Sequence, residues 1–249
     1  MTDLIYGALA AAGGLERWSE VTGLVVRGSL GGPFWAAKGW PDVYANQKVE
    51  IDTRTVDITF TPFPGVGRSS RFVVRPDGSE LMEILDGDRV VDDRISPRRS
   101  FPPVDAPSTW DAIQVAYFTS CAMWNYLVEP FLFTYPGVEC HEIEPWDDRG
   151  ELWRRLAVHF PTNLPNHNPD QVFYYDKDFR LRRMDYAPDV TGAAIAHLTD
   201  EHREFDGFVL PTRRRVHLRH PDGTADTSFA PITIDIDDVG FVRGDSGSA

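Results

Sequence analysis

Two rhythms of apolar residues alternate along this chain. At the start, Leu4, Ile5, Ala8, Leu9, Ala12, Leu15 and Trp18 recur at helical spacing, and Thr2 is placed to cap the first turn. An N-terminal helix is expected over residues 1–20, with Gly13-Gly14 weakening its middle so that it breaks into two short pieces. From Gly23 onward, short runs rich in Val, Ile, Phe and Thr are separated by turn signals. Strands are predicted over Leu24–Leu30, Trp35–Trp40, Val43–Asp52, Val56–Thr61, Ser70–Arg75, Glu80–Asp86 and Arg89–Asp92. Gly31-Gly32-Pro33, Pro76-Asp77-Gly78 and Asp86-Gly87-Asp88 supply the corners of an antiparallel meander.

A Pro-rich stretch, Ser96 to Pro107, is expected to cross the surface and deliver a central helix over residues 108–129, capped by Ser108 or Thr109. That helix is apolar on nearly every side (Trp110, Ile113, Val115, Phe118, Met123, Leu127), which predicts burial. Asp111, Gln114, Asn125 and Glu129 interrupt it and Pro130 ends it, so membrane insertion is not expected. Strands resume over Leu152–Phe160, Gln171–Tyr175, Leu181–Tyr186, Ala194–Phe205, Phe208–Leu218 and Ile232–Val242, with corners at Asp147 to Gly150 and at Asp206-Gly207. Residues 243–249 are small and polar and read as a frayed tail. Neither an internal repeat nor a low-complexity linker marks a second domain, so residues 1–249 are expected to form one. A dozen or so strands and one buried helix predict a mainly β fold: a single curved antiparallel sheet, a half-barrel, around that helix.

Three segments carry a family likeness: FYYDKDFRLRRMDY (strand, Asp-rich turn, return strand), EHREFDGFVLPTRRRVHLR (strand, Asp-Gly corner, basic strand) and ITIDIDDVGF (closing strand). In this order they resemble the LolA/LolB-like group of bacterial lipoprotein carriers. The resemblance implies an incomplete barrel whose apolar concave face is covered by helices, with acyl chains held between. The same group includes a cytoplasmic enzyme of violacein biosynthesis that works without a cofactor.

Charge and motifs narrow the function further. A formal net charge of -13, from 38 acidic and 25 basic residues, disfavours nucleic acid as a partner. Cys121 and Cys140 are the only cysteines and form no C-x-x-C pair, so free buried thiols are expected. The N-terminus has no basic n-region and carries Asp3 early, which points to the cytoplasm rather than export. No G-x-G-x-x-G, Walker loop, G-x-S-x-G or H-E-x-x-H occurs; no cofactor and no metal are expected.

The remaining candidates are aromatic and polar. Trp35, Trp40 and Tyr44 on the early strands, and Tyr117 and Trp124 two turns apart on one helix face, are either core or the lining of a cavity. Glu129 is either a buried acid or a helix-terminal residue at the surface. The segment His159 to Asp170 is stiff and polar; at a barrel mouth, His167 would act as general base or orient a ligand, and otherwise the segment is a solvated turn. Arg183 and Tyr186 would join His167 at a catalytic point. Along the basic strand, Arg213, Arg215 and His217 share one face, favoured as the solvent face, and Arg214, Val216 and Leu218 the other. The expected function is binding of an apolar or aromatic small molecule in the concave cavity. A cofactor-independent enzyme of cyclase, isomerase or lyase type, acting in the same cavity, is the alternative. A scaffold with a filled core is the third possibility, and the oligomeric state is open.

Overall fold

The computed structural model describes residues 1–104 and 108–244. Two short helices, α1 (Asp3–Ala11) and α2 (Leu15–Ser19), open the chain. Thr2 accepts a bond from the Ile5 amide to cap α1, and Gly13 and Gly14, at φ of 128° and 89°, make the break between the two. The first meander follows: β1 (Val21–Gly31), the short helix α3 (Pro33–Ala37), β2 (Gln47–Asp52), β3 (Asp57–Thr61), β4 (Arg68–Val74), β5 (Glu80–Asp86) and β6 (Arg89–Ile95). Helix α4 (Ala112–Val128) leads to β7 (Glu139–Asp148), β8 (Glu151–His159), β9 (Asp170–Tyr175), β10 (Leu181–Tyr186), β11 (Ile195–Phe205), β12 (Phe208–Leu218) and β13 (Ile232–Arg243).

Among the described residues, 13 strands form one antiparallel sheet in the order β6-β5-β4-β3-β2-β1-β13-β12-β11-β10-β9-β8-β7. The chain therefore starts at the centre of the sheet, runs out to one edge at β6, and must reach the opposite edge at β7 before returning to β13 beside β1. α4 makes that passage through the concave side, a span of about 25 Å at 1.5 Å per residue. Every residue from Ile113 to Val128 is consequently buried, which explains why the helix has no polar face. Among the described residues the two edges do not pair, and the sheet is an unclosed half-barrel. α1 packs where the β9–β10 and β11–β12 hairpins turn: a Cβ on Gly7 would come within 2.3 Å of the Phe179 ring, and Val209 donates to Ala12 O. The β11–β12 corner is Asp206-Gly207, both at positive φ, as a two-residue hairpin turn requires.

Several sequence expectations change. Trp35–Trp40 is not a strand: Pro33 opens α3, its ring fixing φ at the first helical position, and Trp35 Nε1 bonds back to Gly31 O. The strand expected from Val43 begins only at Gln47, because Asp42 and Asn46 adopt left-handed φ of 56° and 52°. α4 is capped by Asp111, not Ser108 or Thr109; Asp111 and Gln114 form a reciprocal capping box. β7 was not legible, since it is a highly acidic edge strand with Pro145 at a register shift. Arg243 completes β13 rather than starting a tail; residues 245–249 of that tail, and 105–107 of the Pro-rich stretch, lie outside the described residues. Among the described residues, no helix is long and apolar enough to cross a membrane.

Candidate functional site

α4 presents two unlike faces to the sheet. One carries Tyr117 and Trp124 and lies on β2–β5: Tyr117 meets Phe72 at 5.2 Å between rings, and Trp124 Nε1 donates to Asp52 O at 2.8 Å. The other carries Phe118, Thr119, Ala122, Met123 and Tyr126, and a cavity of about 150 Å³ separates it from the second meander. Ile195, Val216, Ile232 and Ile234 form the opposite wall. Phe34, Thr191, Leu218 and Pro231, all at least partly exposed, mark its mouth, at the end of the sheet away from α1. Empty apolar cavities of about this size take up benzene-sized guests.

Besides Thr119 and Thr191, the polar residues of the lining cluster together. His167, seated between the rings of Phe118 at 4.4 Å and Tyr186 at 5.4 Å, lines it, as do Tyr126 and Tyr186. The two hydroxyls are 2.7 Å apart, and the Tyr186 hydroxyl is 3.3 Å from His197 Nδ1. The His167 segment is no solvated turn, for Leu164 to His167 are buried. Asn125 of α4 donates to Pro165 O at 2.8 Å, and Arg98, in the short 3-10 helix after β6, donates to the carbonyls of Asn166 and His167. Burial, helped by the Arg98 charge, pushes the His167 imidazole down to about 3. It is neutral at physiological pH, so the near-neutral general base expected from the sequence is not what the fold builds. Burial also raises the Tyr186 phenol.

The other candidates are placed as follows. Trp35 lines the cavity. Trp40 is half-buried, stacks near Phe63 and donates to Trp110 O. Tyr44 is buried among Trp35, Phe60 and Phe63 with its hydroxyl on Val115 O. Tyr44, Tyr117 and Trp124 thus sit in the packing between α4 and the first meander, outside the cavity lining. Glu129 is buried, not at the surface; its carboxyl accepts from the Tyr175 hydroxyl, and burial pushes it up to about 7. It lines a separate space of about 20 Å³ beside α1, with His202 and Arg180. Arg183 does not meet Tyr186 and His167. Three residues before Tyr186 on β10, an odd offset, it lies buried on the outer face, held by both Asp185 oxygens at 2.6 and 2.9 Å and stacked 4.8 Å from the Tyr174 ring. Strand alternation makes these two positions mutually exclusive partners.

Arg213 and Arg215 face outward and pair with acidic neighbours, Asp200 and Glu201 for the first and Asp235 for the second. The same alternation sends Arg214 inward, fully buried beneath α4. The alternation expected from the sequence puts Arg214 and Val216 together on this inner face, and both are buried there. Arg98, Asn125, Tyr126 and His197 were missed; only Asn125, an amide in the middle of an apolar helix, offered a sequence signal. Among the described residues, no group of three His, Cys, Asp or Glu side chains is arranged to hold a metal ion.

No family model and no curated protein matches the sequence. Solved structures resemble it in fold at low sequence identity. A DUF1329 family protein from Desulfovibrio piger is 13% identical over 100% of this chain and 96% of its own, with a TM-score of 0.49. A LolA superfamily protein from Nitrosomonas europaea is 11% identical over 96% of this chain and 92% of its own, with a TM-score of 0.44. The likeness is one of fold. The half-barrel itself is established by the sheet order and by α4 crossing its concave side.

Proposed function

We propose that the cavity between α4 and strands β10–β13 is the binding site of an apolar small molecule. The observation that carries this is the contrast within one helix: aromatic side chains in direct contact with one half of the sheet, and about 150 Å³ of apolar-walled space against the other. Small-molecule sites are concave, mostly apolar and furnished with a few convergent polar groups; here those groups are His167, Tyr126 and Tyr186. An enzymatic role finds less support. A general acid–base pair works best with pKa values near the operating pH, whereas His167 is pushed down to about 3 and Tyr186 is pushed up.

Two measurements test the proposal. Native mass spectrometry of freshly purified protein, before and after denaturation, reads out any bound molecule directly. Thermal unfolding with saturating benzene or propylbenzene reads out the site itself: a raised Tm is expected for the native protein and none for Ala122→Trp, which fills the cavity from α4. If neither hydrocarbon shifts Tm and no ligand co-purifies, the proposal fails.

A further inference from the structure

The inward arginine beside the cavity is unusual. Arg214 is 1% exposed, and its contacts are Tyr126 O at 3.0 Å and the Met184 sulfur at 3.8 Å, with Nε unpartnered among the described residues. Neither contact neutralises the guanidinium, and arginine does not shed its proton in proteins. Among the described residues no carboxylate lies within ion-pairing distance of it; Glu129 acts on it through space but is hydrogen-bonded to Tyr175. Burying a charge without a close counter-charge is strongly unfavourable. A buried group left in this state calls for an explanation.

Its position supplies one. Val216 and Ile234 are cavity walls; Arg214 is the next inward residue along β12 from Val216 and pairs across strands with Ile234. Its guanidinium is 5.2 Å from the centroid of the Tyr126 ring, itself a cavity wall. The hydroxyls in front of it form a directed chain. His197 Nε2 is buried without a partner. Assigning the ring proton to Nδ1 leaves a bare lone pair there rather than an orphaned N–H. Nδ1–H then donates to Tyr186 and Tyr186 donates to Tyr126, so the O–H of Tyr126, a residue of the cavity lining, is the donor this chain leaves unused.

Resting on the binding site proposed above, we infer that its ligand is an apolar monocarboxylic acid, the hydrocarbon held between α4 and β12–β13 and the carboxylate accepting from Tyr126 O–H in the field of Arg214. Tyr126 provides contact and Arg214 the charge, in a setting where low dielectric strengthens both. The neutral His167 adds a polar edge without a second charge.

The test compares three probes of one shape on the full chain at pH 7.5, by titration calorimetry: 3-phenylpropanoate, its amide, and propylbenzene. The acid is expected to bind at least about tenfold tighter than the amide, and to lose that advantage when the pH falls below its own pKa. In Arg214→Met, a replacement of similar volume, acid and amide should bind alike while propylbenzene binding survives. Should this variant not fold, Tyr126→Phe is expected to erode the same preference. If amide and propylbenzene bind and the acid binds no tighter, the inference is overturned and the apolar site stands. If none of the three binds, both fall together. An acid preference that persists unchanged in Arg214→Met also overturns it, since the charge then plays no part.

Discussion

The first meander and the second hold the same helix by different means. Against β2–β5, α4 meets aromatic rings in mutual contact: Tyr44 lies 5.4 Å from Phe60 and 5.2 Å from Phe63, and Tyr117 edges onto Phe72. Against β10–β13 the walls are smaller and branched, a cavity remains, and Arg214, His197, Tyr126, Tyr175 and Glu129 are buried on this side of the helix. Dense packing on one side fixes where the helix runs. That fixed position lets the other side keep both empty space and buried polar groups, each of which costs stability. One half of the sheet thus fixes the helix and the other leaves room beside it.

Truncation should separate the halves most strongly. Phe72→Ala would open a hole among closely packed rings and is expected to cost about 3–5 kcal/mol. Ile234→Ala removes a side chain that already fronts an empty space, so fewer contacts are lost and about 2 kcal/mol is expected. Urea unfolding of both variants measures the contrast. Equal losses would mean that the second half is packed as tightly as the first.

How much of this contrast was written in the sequence depends on what sets each feature. Strand alternation and Asp-Gly corners are local, so β5, β10 and β12 could be placed at the residues they occupy. The uniform apolarity of Trp110 to Leu127 reflects burial on all sides, and it predicted the passage of α4 through the concave face. Which face of a strand points inward is not local. Arg183 and Tyr186 looked like neighbours, yet pleating puts Arg183 outside with Asp185 and Tyr186 inside with Tyr126. The titration of His167 also depends on partners distant in sequence: Arg98 and the Phe118 ring come from other segments. Edge strand β7 lacked the alternation because it has no buried face to pattern.

Enlarging residues on α4 is the next test, with a smaller effect. Ser120 is fully buried and lies one turn from Trp124 and from Tyr117, on the packed side. Ser120→Leu should therefore overpack and cost about 1–3 kcal/mol. Ala122 faces the cavity. Ala122→Leu fills space already present, so its stability should stay within about 1 kcal/mol of the native protein while hydrocarbon binding weakens. Chemical denaturation of both, with a propylbenzene titration of the second, decides the matter. A larger loss from Ala122→Leu than from Ser120→Leu would reverse the assignment of faces.

The gentlest probe is pH, because the buried titratable groups concentrate on the cavity side of α4 and at its C-terminal end. Burial depresses His167 to about 3 and His202 to about 4, and it lowers His197 as well. In the unfolded chain these imidazoles titrate near ~6.5. A depressed pKa contributes stability that is present above the unfolded value and lost as pH falls toward the folded one, so these three histidines make stability rise from about pH 4 to about 6.5. Glu129 acts in the opposite sense. Its folded pKa is raised by burial to about 7, against an unfolded value of ~4.3; its contribution is complete below the unfolded value and disappears as pH rises through 7. Glu80, at the start of β5 and raised by partial burial, adds weakly in the same direction. The native protein should therefore gain stability from pH 4 to 6.5 with a blunted slope, then lose a little toward pH 7.5. Glu129→Gln keeps the shape and the Tyr175 partner but removes the opposing proton, so its rise should be steeper and the decline above pH 6.5 should largely vanish. Denaturation midpoints of both proteins across pH 4–8 measure this. A native profile that falls from pH 4 to 6.5 would mean the histidines are not held neutral, and the second half would lose the buried polar character that sets it apart from the first.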